Sequence, residues 1–297
     1  MGNEPLFTGC APALVTPFQD GVIDELAFRR LIHHQLENGC DALVVCGTTG
    51  ESSVLTDDER CRLFEITAEE ARGQVPVIAG AGSNNTQRAL TMIRQAEHAG
   101  ADGLLLVTPY YNKTTQAGLT AHFQYLADRT DLPILLYEVP SRTGVTIAPE
   151  TMAELSRHPR ILGIKEAGTD LDRISKAMLL CEPEFRFYSG NDSLALPLFS
   201  MGGAGLISVA SNLLPAEFGK LYKYCLAGRF AEAAEIHFKY FELMEALFCE
   251  VNPIPVKTAL SLMGFCSPEL RLPLVPLSAE HLLQLKKRML EAGLIRP

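Results

Sequence analysis

A short apolar run, Ile161-Leu162-Gly163-Ile164-Lys165-Glu166, ends in two charged side chains. A continuous apolar run of this length is typical of a parallel strand that is buried on both faces. Seven further runs of the same kind alternate with amphipathic stretches along the chain. The eight predicted strands are Cys10–Val15, Ala42–Cys46, Val75–Ala79, Gly103–Val107, Pro133–Val139, Ile161–Lys165, Phe185–Tyr188 and Gly205–Val209.

The stretches between the strands carry helix signals. Asp24–Asn38, Thr56–Arg72 and Thr86–Ala99 each stop before a glycine, which adopts the left-handed cap conformation at little cost, and Thr56–Arg72 opens with a capping-box pattern. Eight alternating strand and helix units favour a (β/α)8 barrel with a parallel sheet. A doubly wound sheet is the alternative, but Gly47–Gly50 lacks the glycine spacing of a dinucleotide-binding turn.

The strand pattern ends near Leu214, and the remaining chain is predicted to be helical. The predicted helices are Ala216–Leu226, Phe230–Cys249, Val256–Met263 and Leu277–Gly293, with a linker-like break at Asn252–Pro255. We therefore expect two domains, a catalytic (β/α)8 barrel over residues 1–228 and a small α-helical domain over residues 229–297.

Composition limits the classes of partner. The 297 residues include 26 Lys and Arg against 35 Asp and Glu, a net charge of −9, so binding to nucleic acid is not expected. Met1–Phe7 lacks the features of a signal peptide, no apolar stretch reaches the length of a membrane helix, and the eight cysteines show no framework spacing. These features predict a cytoplasmic protein with free thiols and no membrane partner.

The catalytic side chains of a (β/α)8 barrel lie at the carboxyl ends of its strands. Of nine lysines, only Lys165 ends a predicted strand. Burial in a barrel mouth disfavours the ammonium form, so that a neutral amine becomes available to attack a carbonyl group. The alternative is a structural lysine that is paired with a nearby carboxylate.

Other polar side chains end neighbouring strands. Tyr137 can shuttle a proton, or its hydroxyl can simply bond the backbone. Arg142 suits a carboxylate ligand, although a solvated loop arginine would give the same pattern. Gly47-Thr48-Thr49-Gly50-Glu51-Ser52 offers hydroxyl and backbone N–H groups, or forms an ordinary turn. No Cys and His spacing typical of a metal site occurs, so no metal is expected.

Together these segments resemble the dihydrodipicolinate synthase family over essentially the whole chain. The motifs that carry the resemblance are Gly47-Thr48-Thr49-Gly50-Glu51-Ser52, Thr108-Pro109-Tyr110-Tyr111, Tyr137-Glu138-Val139-Pro140-Ser141-Arg142-Thr143-Gly144 and Gly163-Ile164-Lys165-Glu166. The family belongs to a superfamily of pyruvate-dependent class I aldolases that includes N-acetylneuraminate lyase. The resemblance implies a homotetrameric lyase that condenses pyruvate with L-aspartate 4-semialdehyde on the route to diaminopimelate and lysine.

Two other functions are compatible with these residues. One is a related aldolase or lyase that acts on a sugar-derived 2-keto acid. The other is a non-catalytic barrel that binds a keto acid as a sensor.

The resemblance also implies a role for each matching residue. Lys165 forms an imine with pyruvate, and Tyr137 transfers protons at the imine and the enamine. Thr48 links Tyr137 to Tyr111, which reaches into the site of a neighbouring subunit. No cofactor is implied, because the protonated imine is itself the electron sink.

Substrate contacts are implied in the same way. The Thr48 and Thr49 region holds the carboxylate of pyruvate, and Arg142 receives the carboxylate of aspartate semialdehyde. The backbone carbonyl of Ile207 lines the pyruvate site, and Gly190 lies near it.

The chain departs from the usual family pattern at two places. Glu138 stands where asparagine is usual, and we expect its carboxylate to alter the charge at the entrance of the site. Members that are inhibited by lysine bind it with His and Glu side chains near the second and third barrel helices. The matching positions here are Asp57, Arg60 and Arg88, so we expect weak or no inhibition by lysine.

Overall fold

Eight parallel strands close into a barrel in the computed structural model, which describes residues 4–296. The strands in chain order are β1 (Gly9–Pro12), β2 (Phe18–Gln19), β3 (Val22–Ile23), β4 (Leu43–Val45), β5 (Val77–Gly80), β6 (Gly103–Val107), β7 (Ile134–Glu138), β8 (Ile161–Glu166), β9 (Arg186–Ser189) and β10 (Gly205–Ser208). β2 and β3 form a separate antiparallel hairpin. The other strands pair in the order β1-β10-β9-β8-β7-β6-β5-β4, and a parallel bridge between Ala13 and Val44 joins the two ends. The predicted barrel is confirmed.

Helices connect the strands and continue beyond the barrel. They are α1 (Glu25–Glu37), α2 (Asp57–Ala71), α3 (Thr86–His98), α4 (Gln116–Ala127), α5 (Pro140–Thr143), α6 (Pro149–Leu155), α7 (Leu171–Leu180), α8 (Ala195–Ser200), α9 (Pro215–Leu226), α10 (Phe230–Ala246), α11 (Ile254–Leu262) and α12 (Ala279–Glu291). The helix signals in the sequence are confirmed, since Asp24 caps α1 and both halves of the Thr56 and Glu59 capping box are formed at α2.

Apolar side chains fill the barrel from inside and cover it from outside. Ala11, Val44, Leu135 and Ile207 belong to the interior cluster, and a larger cluster fills the space between strands and helices. A third cluster packs α9 to α12 against the barrel next to β1 and β10. None of the helices in the described part of the chain is both long and apolar enough to span a membrane.

The carboxyl-terminal helices differ from the prediction at one segment. The chain does break between α10 and α11, but Asn252, Pro253 and Pro255 are buried and do not form an exposed linker. The break is a packed corner, because its side chains contact the barrel as described below. The division of the chain at residue 228 stays a prediction. The prediction that Met1–Phe7 is not a signal peptide falls partly on Met1–Asn3, which lie outside the described residues.

Candidate active site

Tyr137 and Lys165 lie side by side at the carboxyl ends of β7 and β8. The two strands are parallel, and their register aligns Tyr137 with Lys165 and Glu138 with Glu166. Successive side chains on a strand point to opposite faces, so the first pair points into the barrel and the second pair points outward. The Nζ atom of Lys165 lies 4.5 Å from the centre of the Tyr137 ring.

The Lys165 side chain is almost buried, with 6% of its surface exposed. Its stem passes directly over Gly190, which follows β9. A Cβ atom at Gly190 would lie 3.0 Å from Cε of Lys165 and 2.8 Å from Cβ of Ala167. The missing side chain at Gly190 therefore leaves the space that the lysine occupies.

The threonine pair lies in a single 3₁₀ turn, Thr48–Gly50, directly after β4. Oγ1 of Thr48 lies 3.5 Å from the hydroxyl oxygen of Tyr137. Thr49 is buried, and its hydroxyl accepts a hydrogen bond of 3.0 Å from the side-chain amide of Asn252. Thr48 and Tyr137 are thus within hydrogen-bonding distance of each other, and Lys165 lies beside the Tyr137 ring.

Arg142 lies on α5, close to the strand end that carries Tyr137. Its Nη2 atom donates a hydrogen bond of 2.9 Å to the backbone carbonyl of Asn252. Thr48, Val139, Arg142 and Asn252 line a cleft of about 610 Å³. A larger cleft of about 840 Å³ lies beside α10, but neither Thr48 nor Arg142 lines it, and Lys165 lines neither cleft. The cleft at Arg142 is the one that contains chemistry predicted from the sequence.

Tyr111 and Ile207 occupy contrasting positions. Tyr111 is 91% exposed, has a backbone φ of +66°, and makes no hydrogen bond to Thr48 within residues 4–296. A residue other than glycine rarely adopts this φ, and such strain is concentrated at functional sites. Ile207 is fully buried on β10 and belongs to the interior cluster that contains Tyr137.

The expected effect of Glu138 on the site entrance is wrong. Its side chain points out of the barrel and is completely buried. Glu138 accepts a hydrogen bond of 2.7 Å from the backbone N–H of Ile147, and Nη2 of Arg173 lies 2.8 Å from Glu138 and 2.7 Å from Glu166. Burial, followed by repulsion from Glu166, raises the pKa of Glu138 to about 8. Strand alternation is the reason, because Tyr137 takes the inward position.

Sequence reasoning missed a second group of charged residues behind the threonine turn. Lys257 on α11 forms a buried ion pair of 2.5 Å with Glu51, and the backbone N–H of Arg271 donates to the other oxygen of Glu51. Burial lowers the pKa of Lys257. The signal that was available is a charged residue inside the Gly47–Ser52 motif, but its partners are more than 200 residues away in the chain.

Asp192 lies in the Ser189-Gly190-Asn191-Asp192 segment at the end of the seventh predicted strand, and the sequence assigned it no role. Its carboxylate accepts hydrogen bonds from the Ser208 hydroxyl and from the backbone N–H groups of Val209 and Ala210. Burial raises its pKa. Asp192 therefore ties the end of β9 to the end of β10. Among residues 4–296, no three His, Cys, Asp or Glu side chains converge as the ligands of a metal ion would.

Known proteins are similar to this chain in both sequence and fold. A model described as the dihydrodipicolinate synthetase family matches residues 6–292. A protein named 4-hydroxy-tetrahydrodipicolinate synthase from Nitratidesulfovibrio vulgaris is 48% identical to this chain, over 97% of this chain and 99% of its own length. A protein of the same name from Thermotoga neapolitana is also 48% identical, over 98% of this chain and 100% of its own length. The crystal structure of dihydrodipicolinate synthase from Thermotoga maritima matches with a TM-score of 0.96 and 46% identity over 98% and 100% of the two chains. The chain therefore belongs to the dihydrodipicolinate synthetase family.

Proposed function

We propose that the chain catalyses the 4-hydroxy-tetrahydrodipicolinate synthase reaction, in which pyruvate condenses with L-aspartate 4-semialdehyde on the route to diaminopimelate and lysine. The observation that carries the proposal is the alignment of a buried Lys165 with Tyr137, with Thr48 at 3.5 Å from the tyrosine hydroxyl. A buried amine next to a proton donor is what imine formation requires. The 48% sequence identity to proteins named 4-hydroxy-tetrahydrodipicolinate synthase, over nearly the whole chain, supports the same reaction.

The chemistry starts at the ketone carbon of pyruvate. The neutral amine of Lys165 attacks this carbon, and the resulting carbinolamine loses water to give a protonated imine. The imine draws electrons from the adjacent methyl group, so a methyl proton leaves and an enamine forms. The enamine carbon then attacks the aldehyde carbon, whose oxygen takes up a proton, and the imine at Lys165 is restored. The amino group of the semialdehyde attacks the imine carbon and displaces Lys165, which closes the ring and frees the lysine amine. Tyr137 is placed to exchange these protons, since it lies beside Lys165.

The proton relay is proposed to extend to a second subunit. Thr48 can pass a proton from Tyr137 to a further phenol, which the resemblance identifies as Tyr111. Tyr111 is 91% exposed on the single chain, so its side chain is free to enter the site of a neighbour. This role of Tyr111 fits the homotetramer that the resemblance implies.

Substrate contacts are proposed at the residues that surround Lys165. The hydroxyl and N–H groups of the Thr48 and Thr49 turn hold the carboxylate of pyruvate. The backbone carbonyl of Ile207 and Gly190, which lies against Lys165, complete its site. Arg142 binds the carboxylate of aspartate semialdehyde at the cleft that it shares with Thr48. The protonated imine is the electron sink for removal of the methyl proton, so the reaction needs no cofactor. We further propose a cytoplasmic location, as for other amino-acid biosynthesis.

Imine trapping tests the mechanism. We expect that incubation with pyruvate followed by borohydride attaches one pyruvate-derived adduct, and that peptide mapping places it on Lys165. Lys257, the other buried lysine, is the internal control and should stay unmodified. An adduct on another lysine, or no adduct in the wild-type chain, would overturn the mechanism. A coupled assay with aspartate semialdehyde and with sugar aldehydes then tests the second substrate, and preference for a sugar would overturn the proposed reaction.

A further inference from the structure

Asn252 contacts both halves of the proposed site from outside the barrel. Its side-chain amide donates to the Thr49 hydroxyl at 3.0 Å, and its backbone carbonyl accepts from Arg142 at 2.9 Å. Asn252 and Thr49 are 203 positions apart in the chain. Both are buried, with 7% and 2% of their surfaces exposed. One residue of the carboxyl-terminal part therefore reaches the groups proposed to hold the two substrates.

In the hydrogen bond between Asn252 and Thr49, the side-chain amide of Asn252 is the donor and the Thr49 hydroxyl is the acceptor. A hydroxyl group has one proton to donate and lone pairs that accept. The amide N–H of Asn252 occupies a lone pair of Thr49, and no group within residues 4–296 accepts the Thr49 proton. A buried donor is rarely left without an acceptor. The proton is therefore available for an acceptor such as a carboxylate.

We propose that Asn252 is a positioning residue that orients the Thr49 hydroxyl, so that its proton points at the carboxylate of bound pyruvate. This role rests on the proposed function, in which Thr49 contacts that carboxylate. Were Thr49 to donate to Asn252 instead, only lone pairs of the hydroxyl would face the substrate, and they would repel its negative charge. Asn252 thus determines whether the threonine attracts or repels pyruvate.

The first test separates pyruvate binding from the other steps. We expect Asn252→Ala to raise the KM for pyruvate by about tenfold or more, which corresponds to about 1.4 kcal/mol, while kcat changes much less. The KM for aspartate semialdehyde should change less than that for pyruvate, because Arg142 bonds the backbone of Asn252 and this bond survives the substitution. Asn252→Asp offers only acceptors to Thr49, so it should raise the KM for pyruvate further.

A double-mutant cycle distinguishes this role from a structural one. If Asn252 acts through the Thr49 hydroxyl, Asn252→Ala should have little additional effect on a Thr49→Val background and its full effect on a Thr49→Ser background. An equal effect on both backgrounds, or an unchanged KM for pyruvate in both Asn252 variants, overturns the role. Thermal unfolding shows whether each variant is folded. If Asn252→Ala does not fold, the nearly isosteric Asn252→Asp provides the test.

Imine trapping separates the two proposals. A wild-type chain that yields no borohydride adduct with pyruvate overturns the proposed function and the role of Asn252 together. An adduct on Lys165, combined with a KM for pyruvate that does not respond to Asn252, overturns the positioning role alone.

Discussion

The free energy of unfolding of Glu138→Gln, compared with that of the wild type, should increase as the pH rises above neutral. Glu138 and Glu166 are both buried and share the single guanidinium of Arg173. Burial raises the pKa of Glu138 to about 8 from a usual value of 4.5. Glutamine cannot ionise, but its amide oxygen can still accept the hydrogen bond that the N–H of Ile147 now donates to Glu138.

The sign follows from the numbers of bound protons. Between pH 4.5 and about 8, native Glu138 keeps a proton that the unfolded chain has released. The free energy of unfolding therefore falls as the pH rises through this window, by about 1.4 kcal/mol per pH unit for one proton. From pH 6 to pH 8, Glu138 is expected to lower the free energy of unfolding of the wild type by roughly 2–3 kcal/mol. Above the folded pKa both states are ionised, and this contribution stops changing.

Urea unfolding at pH 6, 7 and 8 measures the effect at one fixed protein concentration, because subunit association would otherwise shift the result. Other buried groups titrate in both proteins, so the difference between Glu138→Gln and wild type isolates Glu138. The wild type should lose stability relative to the variant as the pH rises. Unfolding free energies of the two proteins that change in parallel from pH 6 to pH 8 would refute the inference that burial and Glu166 raise the pKa of Glu138.

Three further predictions concern ligands. Arg142→Ala should lower kcat/KM for aspartate semialdehyde by the factor that corresponds to losing a charge-assisted contact of roughly 1.5–3 kcal/mol, while imine trapping with pyruvate stays intact. Equal loss of both half-reactions would contradict the assigned role. Gly190→Ala should slow adduct formation, because the new Cβ would lie 3.0 Å from Cε of Lys165; an unchanged trapping rate would show that the lysine has room to move. Lysine should inhibit weakly or not at all, because the resemblance aligns Arg88 with a Glu of lysine-inhibited members, although the 2.7 Å ion pair between Arg88 and Asp57 offsets part of the charge. Strong inhibition at sub-millimolar lysine in a rate titration would be inconsistent with this expectation.

The barrel could be predicted because its signals are local. Each strand is a short apolar run, and each early helix ends at a glycine or begins at a capping residue within a few positions. The structure confirms all eight runs, with ends that shift by up to three residues. Lys165 could be proposed as the reactive lysine for the same reason, since the carboxyl end of a strand is visible in the sequence and is the catalytic end of a barrel.

The partners of these residues could not be predicted, because they come from distant parts of the chain. Asn252 and Lys257 lie more than 200 positions from Thr49 and Glu51. A segment with two prolines is typical of a loop, and nothing local indicates that this loop is buried. The sequence pattern therefore gave the correct break in the chain and the wrong environment for it.

The position of Glu138 shows how strand alternation separates the proposed catalytic side chains from the buried charges behind them. Tyr137 and Lys165 face the interior, and the next residue on each strand, Glu138 and Glu166, faces the surrounding helices. Because the register aligns both pairs, Arg173 holds the two strand ends together from outside at the level where the tyrosine and lysine meet inside. An acidic residue next to a proposed catalytic one in sequence is thus on the opposite face of the sheet, where it contacts Arg173 instead of the barrel interior.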